Sequence, residues 1–228
     1  MVQEIQRPRT QHTFPTSAPT AYPVFYRTYS RRGEAGPGRE SWQQVCDRTL
    51  GGLIELGNLN ADEAALIKRM MTEVKALPSG RWLWVGGTDW SKKPENFSGA
   101  YNCTSTNVVD WSAFGLMMDL AMMGCGTGAV LEPKYINQLP QPRNTLHVTL
   151  GGQVGTTPKG QRRELTDVEI EGNTVKVLVG DSRKGWVKSY QTILELSSDE
   201  RFSGPVSVTV DLSDVRPAGE KLSGFGGV

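Results

Sequence analysis

Cysteine and histidine are scarce in this chain of 228 residues, with three of the first (Cys46, Cys103, Cys125) and two of the second (His12, His147). No CxxC or Cys/His pairing occurs among them, which removes the usual zinc spacings, and an odd, scattered trio of thiols is no disulfide framework. Excess charge of either sign is also lacking. Lys and Arg total 25 against 24 Asp and Glu, a formal net charge of +1, so nothing draws in DNA or RNA. No apolar run approaches the roughly 20 residues that a membrane helix needs. A signal-peptide core is missing as well, because Arg7 and Arg9 lead into polar, proline-rich sequence. These absences predict a cytoplasmic protein with no metal site, no nucleic-acid partner and no membrane partner.

Glycine and proline, by contrast, are plentiful at 26 and 13 residues, which favours turns and loops. The length suits one large domain or two small ones. Residues 1–22, broken by Pro8, Pro15 and Pro19, read as a disordered or loosely docked arm. Tyr22, Phe25, Tyr26 and Tyr29 then supply aromatic anchors ahead of a glycine-rich break at Gly33–Gly38. Over 23–78 the pattern is helical. Ser41 with Gln44 and Asn60 with Glu63 form capping boxes, each followed by an apolar stripe at helical spacing. Cys46 lies on the first stripe and reads as a buried apolar residue.

Beyond Pro78-Ser-Gly80 the reading becomes mixed α/β. Arg81 to Val85 reads as a short strand that turns at Gly86-Gly87. Asp110 caps a helix from Trp111 to Met123 whose apolar residues lie nearly all round it, the mark of a buried helix. Gly124 stops it, and a strand resumes over Ala129–Leu131. From Pro133 to Arg163 no period is visible. Two alternating runs around Gly172-Asn173 predict a β-hairpin. Asp181 or Ser182 caps a further helix to about Leu196, and Val206–Leu212 alternates as a strand. Strands alternating with helices predict an α/β sheet or barrel behind a helical N-terminal piece.

The densest chemistry sits in Asn96-Phe-Ser-Gly-Ala-Tyr-Asn-Cys-Thr-Ser-Thr-Asn107. Asn102, Thr104, Ser105 and Thr106 around Cys103 are small polar groups able to hydrogen-bond phosphate or ribose hydroxyls, and an apolar core would exclude them. Gly124-Cys-Gly-Thr-Gly128 is no dinucleotide fingerprint, since it follows a helix and does not lead from a strand into one. Arg183 and Lys184 flank a helix start, where an anion can bind, although a solvated basic face is the ordinary reading. Val215 to Val228 reads as a flexible, glycine-rich tail.

These stretches, with Arg81-Trp-Leu-Trp-Val-Gly-Gly-Thr-Asp-Trp90 and Asp181-Ser-Arg-Lys-Gly-Trp186, resemble the adenosylcobalamin-dependent (class II) ribonucleoside-triphosphate reductases, N-terminal portion. The resemblance implies the first part of a ten-stranded α/β reductase barrel over 79–228, incomplete here, with an effector-site segment inserted over about 134–228. It implies conversion of ribonucleoside triphosphates to deoxyribonucleoside triphosphates for DNA synthesis, through a thiyl radical initiated by adenosylcobalamin. Cys103 would be half of the redox dithiol, with Thr88, Asn102 and Gly126 at the substrate. Asp110, Arg183, Lys184, Arg216 and Lys221 would meet a deoxynucleoside-triphosphate effector. A thioredoxin-type reductant and the C-terminal remainder of the enzyme are the implied partners. The thiyl cysteine, the second redox cysteine and most cobalamin contacts have no counterpart in this chain, which alone is therefore expected to be inactive. Two rivals stand beside this reading. One is a non-catalytic nucleotide-binding module. The other is a glycyl-radical or oxygen-dependent relative, which the tryptophan-rich and Asn96-Phe-Ser-Gly signatures fit less well.

Overall fold

A computed structural model describes residues 14–32 and 38–220. The beginning of the expected arm, most of the glycine-rich break and Lys221 lie outside the described residues. The chain forms two compact units, Met1–Ala100 and Tyr101–Val228.

The first unit is helical. A short helix α1 (Ala21–Val24) runs into a π-helical turn over Phe25–Tyr29, followed by α2 (Trp42–Gly57) and α3 (Ala61–Thr72). Both predicted capping boxes form. The Ser41 hydroxyl accepts from Gln44 N–H at 3.3 Å, and the Asn60 amide oxygen accepts from Glu63 N–H at 3.0 Å. Trp42, Val45, Cys46 and Met71 from the two helices bury against Phe25 and Leu83, with Phe14 and Tyr22 packed at the margin. Phe14 sits within the stretch read as an arm, and its ring stacks on Phe25 at 5.5 Å. Cys46 is fully buried as expected, and burial pushes its thiol pKa up to about 12.

Arg81–Val85 is not a strand. Gly80–Val85 forms a helix, α4, because Ser79 caps it by accepting from Trp82 N–H at 3.2 Å, and Trp82 donates its indole N–H to Thr49 O of α2. The run is too short for its period to separate helix from strand. A last helical turn α5 (Asp89–Lys92) and a 3₁₀ turn over Pro94–Ala100 complete the unit. Arg48 of α2 binds this region. Its guanidinium pairs with Glu40 at 2.7 Å and donates to Leu83 O at 3.1 Å. Gly87, at φ +72°, presses so close to α2 that an added Cβ would stand 2.0 Å from Arg48 O.

The second unit opens with β1 (Cys103–Asn107), α6 (Trp111–Met122) and β2 (Gly126–Val130), a βαβ unit with the two strands parallel. β2 starts three residues before the strand read from sequence, because the two glycines of Gly126-Thr-Gly128 weaken the strand signal that Thr127 gives. Neither is α6 buried all round. Ala113, Gly115 and Leu120 are buried, whereas Leu116 and Met122 are exposed. Among the described residues it packs against β1, β2 and a later helix, which leaves Leu116 and Met122 uncovered.

After a turn of helix α7 (Pro133–Ile136) comes β3 (Leu146–Gly151), a strand hidden in the stretch without visible period. The hairpin of β4 (Asp167–Glu171) and β5 (Thr174–Leu178) turns at Gly172-Asn173 as predicted. Helix α8 (Arg183–Leu196) and β6 (Val206–Asp211) follow. Ser182 is the cap, accepting from Gly185 N–H at 2.9 Å. The sheet order is β3-β6-β5-β4, with β3, β6 and β5 parallel and β4 antiparallel. Val175, Val177, Val206, Val208 and Val210 form its core with Leu196 and Phe202, and Trp186 and Ile193 of α8 pack against it. Val148 and Leu150 of the edge strand β3 stay exposed.

Two glycines near Arg48 give opposite expectations. Gly87→Ala should cost about 2 kcal/mol or more, from the left-handed backbone and the clash with Arg48 O. Gly51→Ala, in α2 with open space at its Cβ position, should gain about 0.5–1 kcal/mol from reduced chain entropy. Urea denaturation midpoints of the two variants check both signs.

Candidate functional site

Parallel register sets β1 and β2 side by side so that Cys103 stands opposite Gly126, Ser105 opposite Gly128 and Asn107 opposite Val130. Alternation along β1 turns Cys103, Ser105 and Asn107 to the exposed face, while Thr104 and Thr106 point the other way and are half-buried. The pairing begins at Asn102, whose carbonyl accepts from Gly126 N–H at 2.8 Å. A Cβ on residue 126 would lie 3.5 Å from Cys103 Sγ, so the glycine leaves the thiol's flank open without being sterically obligatory. Three of the sequence-derived residues, Asn102, Cys103 and Gly126, are therefore brought together.

The three thiols divide sharply. Cys103 is exposed, and Cys46 and Cys125 are buried. Cys125 precedes β2 and donates its S–H to Tyr101 O at 3.2 Å, a structural role in keeping with the sequence reading. Thr104 Oγ1 is buried without a hydrogen-bond partner on the far side of β1.

The residues expected at an effector are not gathered into one open pocket. Asp110 caps α6, accepting from Ala113 N–H at 3.1 Å, and the Ser112 hydroxyl bound to its carboxylate holds its pKa below the ordinary value. Arg183 reaches across to α6 and pairs with Asp119 at 3.0 Å. Lys184 is exposed on the first turn of α8. Arg216 pairs with Asp181 at 2.9 Å and donates to the Asp181 carbonyl at 3.1 Å. Thr88, in the first unit, caps α5 and donates its hydroxyl to Val85 O at 2.6 Å.

Sequence reasoning missed what organises this end of the second unit. Arg162, whose side chain is only 8% exposed, spans two carboxylates, Glu220 at 2.9 Å and Asp181 at 3.4 Å. Arg163 pairs with Asp214 at 2.9 Å. Together with Arg216 these pairs tie the loops before β4, before α8 and after β6. The members are far apart in sequence and lie in stretches without period, so no local pattern announces them. Beside them a polar cavity of about 250 Å³ is lined by Arg163, Lys176, Asp211, Ser213 and Asp214.

Only Cys103 should alkylate quickly in the native chain, with Cys46 and Cys125 labelled after unfolding. Iodoacetamide labelling with and without urea, mapped by peptide mass spectrometry, checks this; rapid native labelling of either buried thiol would contradict the packing. Comparison with known proteins bears on what such a thiol does. Residues 153–228 match the family model described as B12-dependent ribonucleotide reductase, insertion domain. The adenosylcobalamin-dependent ribonucleoside-triphosphate reductase of Lactobacillus helveticus is 26% identical over 90% of this chain and 33% of its own length. The putative adenosylcobalamin-dependent reductase of Mycobacterium phage D29 is 27% identical over 92% of this chain and 30% of its own. A crystal structure of a B12-dependent (class II) ribonucleotide reductase superposes with a TM-score of 0.70 at 21% identity, covering 91% of this chain and 34% of that one. The chain thus spans about a third of the length of the curated relatives it matches. Over that third, the resemblance carried by Arg81–Trp90, Asn96–Asn107 and the turn at Gly124 holds: the chain is similar to the adenosylcobalamin-dependent, class II ribonucleotide reductases.

Proposed function

We propose that this chain is the substrate-thiol and effector-site portion of a cytoplasmic, adenosylcobalamin-dependent ribonucleoside-triphosphate reductase. The observation that carries the reading is the exposed thiol of Cys103 on β1, flanked by the side-chain-free Gly126, in a chain similar to such reductases. Cys103 and a second thiol outside the chain supply two electrons and two hydrogens to the ribose. The 2′-hydroxyl leaves as water, a C2′–H bond forms, and the two sulfurs close to a disulfide that a thioredoxin-type dithiol reopens by exchange. An exposed strand position suits this cycle, because both the sugar and the external reductant must reach the sulfur.

The remaining family-implied roles complete the reading. Thr88, Asn102 and Gly126 contact the substrate. Asp110, Arg183, Lys184, Arg216 and Lys221 contact a deoxynucleoside-triphosphate effector, Arg183 and Arg216 exchanging their carboxylate partners for it. β1 and β2 are the first strands of a ten-stranded barrel whose other strands come from the remainder of the enzyme. Adenosylcobalamin belongs to that whole enzyme and is held mostly by residues outside this chain. Among the described residues no three His, Cys, Asp or Glu side chains are grouped to hold a metal ion. Among the described residues, one cavity of about 250 Å³ is lined by ion-paired side chains and one of about 340 Å³ mostly by apolar ones. The chain alone is inactive on this reading.

Mixing the chain with a separately produced remainder of the enzyme, adenosylcobalamin, CTP and a dithiol should yield deoxynucleotide, and Cys103→Ser should lower the rate by roughly a hundredfold or more. Undiminished turnover by the variant would remove Cys103 from the redox pair. Association of the two pieces without product would favour a non-catalytic nucleotide-binding module.

A further inference from the structure

We infer that Ser105 and Asn107 are positioning residues for the sugar and base of a nucleotide lying along the exposed face of β1 and β2; the inference rests on the reading of Cys103 given above. Three observations converge on that face. First, strand alternation places Cys103, Ser105 and Asn107 in one exposed row, about 6.6 Å apart at a rise of ~3.3 Å per residue. A nucleotide whose ribose sits over the thiol extends over that distance. Second, the strand beside this row is bare at two of its three positions, with Gly126 next to Cys103 and Gly128 next to Ser105, and carries Val130 next to Asn107. The result is open peptide beside the thiol and the serine, where a ribose can approach, and an apolar side chain beside Asn107 against which a base can pack. Third, among the described residues the side chains of Ser105 and Asn107 make no hydrogen bond within the protein, in contrast to Asp110 and Ser112 just beyond the strand, which bind each other at 2.5 Å.

The chemistry of the row sets the orientation. Neither strand carries Lys, Arg, Asp or Glu, so nothing on the face neutralises a phosphate. A hydroxyl and a carboxamide are suited to neutral groups, with Ser105 meeting a ribose hydroxyl and the Asn107 amide donating to and accepting from a base edge. The triphosphate then points away from Asn107, beyond the Cys103 end of the strand.

The test uses nucleotide protection of Cys103 from iodoacetamide in the full 228-residue chain, with CTP and ATP as probes and labelling read thiol by thiol. Nucleotide should slow Cys103 labelling, and Ser105→Ala and Asn107→Ala should each raise the half-protecting concentration about five- to thirtyfold. Ser105→Thr, which keeps the hydroxyl, should restore protection, as a merely structural role for the side chain would not require. Cys46 and Cys125 staying unlabelled shows that each variant is folded. Equal half-protecting concentrations in the parent and both alanine variants would overturn the inference while leaving Cys103 at the substrate. Failure of both nucleotides to protect the parent chain would overturn the substrate reading at Cys103 and this inference with it.

Discussion

The candidate site depends on one backbone hydrogen bond and the register that follows from it. Gly126 N–H donates to the Asn102 carbonyl at 2.8 Å, and from there β1 and β2 run parallel for five residues. A slip of one residue would turn Cys103 inward and bring Thr104 to the surface, because side chains alternate along a strand. What prevents the slip is the helix between the strands. Asp110 fixes where α6 begins, and Gly124, at φ +84°, fixes where it ends. The length of the crossover, and with it the register, is set by these two residues.

The same helix joins the small sheet to the larger one. α6 and α8 approach closely where Gly115 faces Gln191, and an added Cβ there would stand 2.5 Å from the Gln191 side-chain oxygen. The Arg183–Asp119 pair adds a second tie, and Trp111 donates to the Ser198 hydroxyl at 2.7 Å as a third. At its N-terminal end α8 begins beside Asp181, where Arg162 and Arg216 converge. These ionic contacts are partly buried, and removing one partner would leave the others poorly compensated. The loops that carry the expected effector contacts are thus held by the group that starts α8, while α8 is held by the helix that sets the register of Cys103.

Much of this fold was legible in the sequence where a local signal coincided with a local structure. The capping boxes at Ser41 and Asn60, the buried Cys46, the Asp110 cap, the Gly172-Asn173 hairpin and β6 are all encoded by residues within a few positions of one another. Legibility failed in two ways. Arg81–Val85 is short and wholly apolar after Arg81, so neither period is visible, and the decision came from Ser79 and from Thr49 on another helix. β2 and β3 carry glycine or exposed apolar residues, so they are strands because a partner strand pairs with them. At the site, the motif around Cys103 stood out in sequence, whereas the separation of Ser105 and Asn107 from Thr104 and Thr106 became visible only once β1 was known to be a strand. The carboxylates that hold Arg183 and Arg216 could not be read at all, because the pairs join distant segments.

The division among the thiols bears on oxidation. Cys125 lies next in sequence to Gly126, which faces Cys103, yet its sulfur is buried and engaged with the Tyr101 carbonyl. An oxidant that converts Cys103 to a sulfenic acid therefore finds no poised thiol within this chain to capture it as a disulfide. The oxidised sulfur must wait for a thiol from elsewhere, or go on towards the sulfinic acid. The surface placement that the proposed chemistry requires leaves Cys103 equally open to irreversible oxidation.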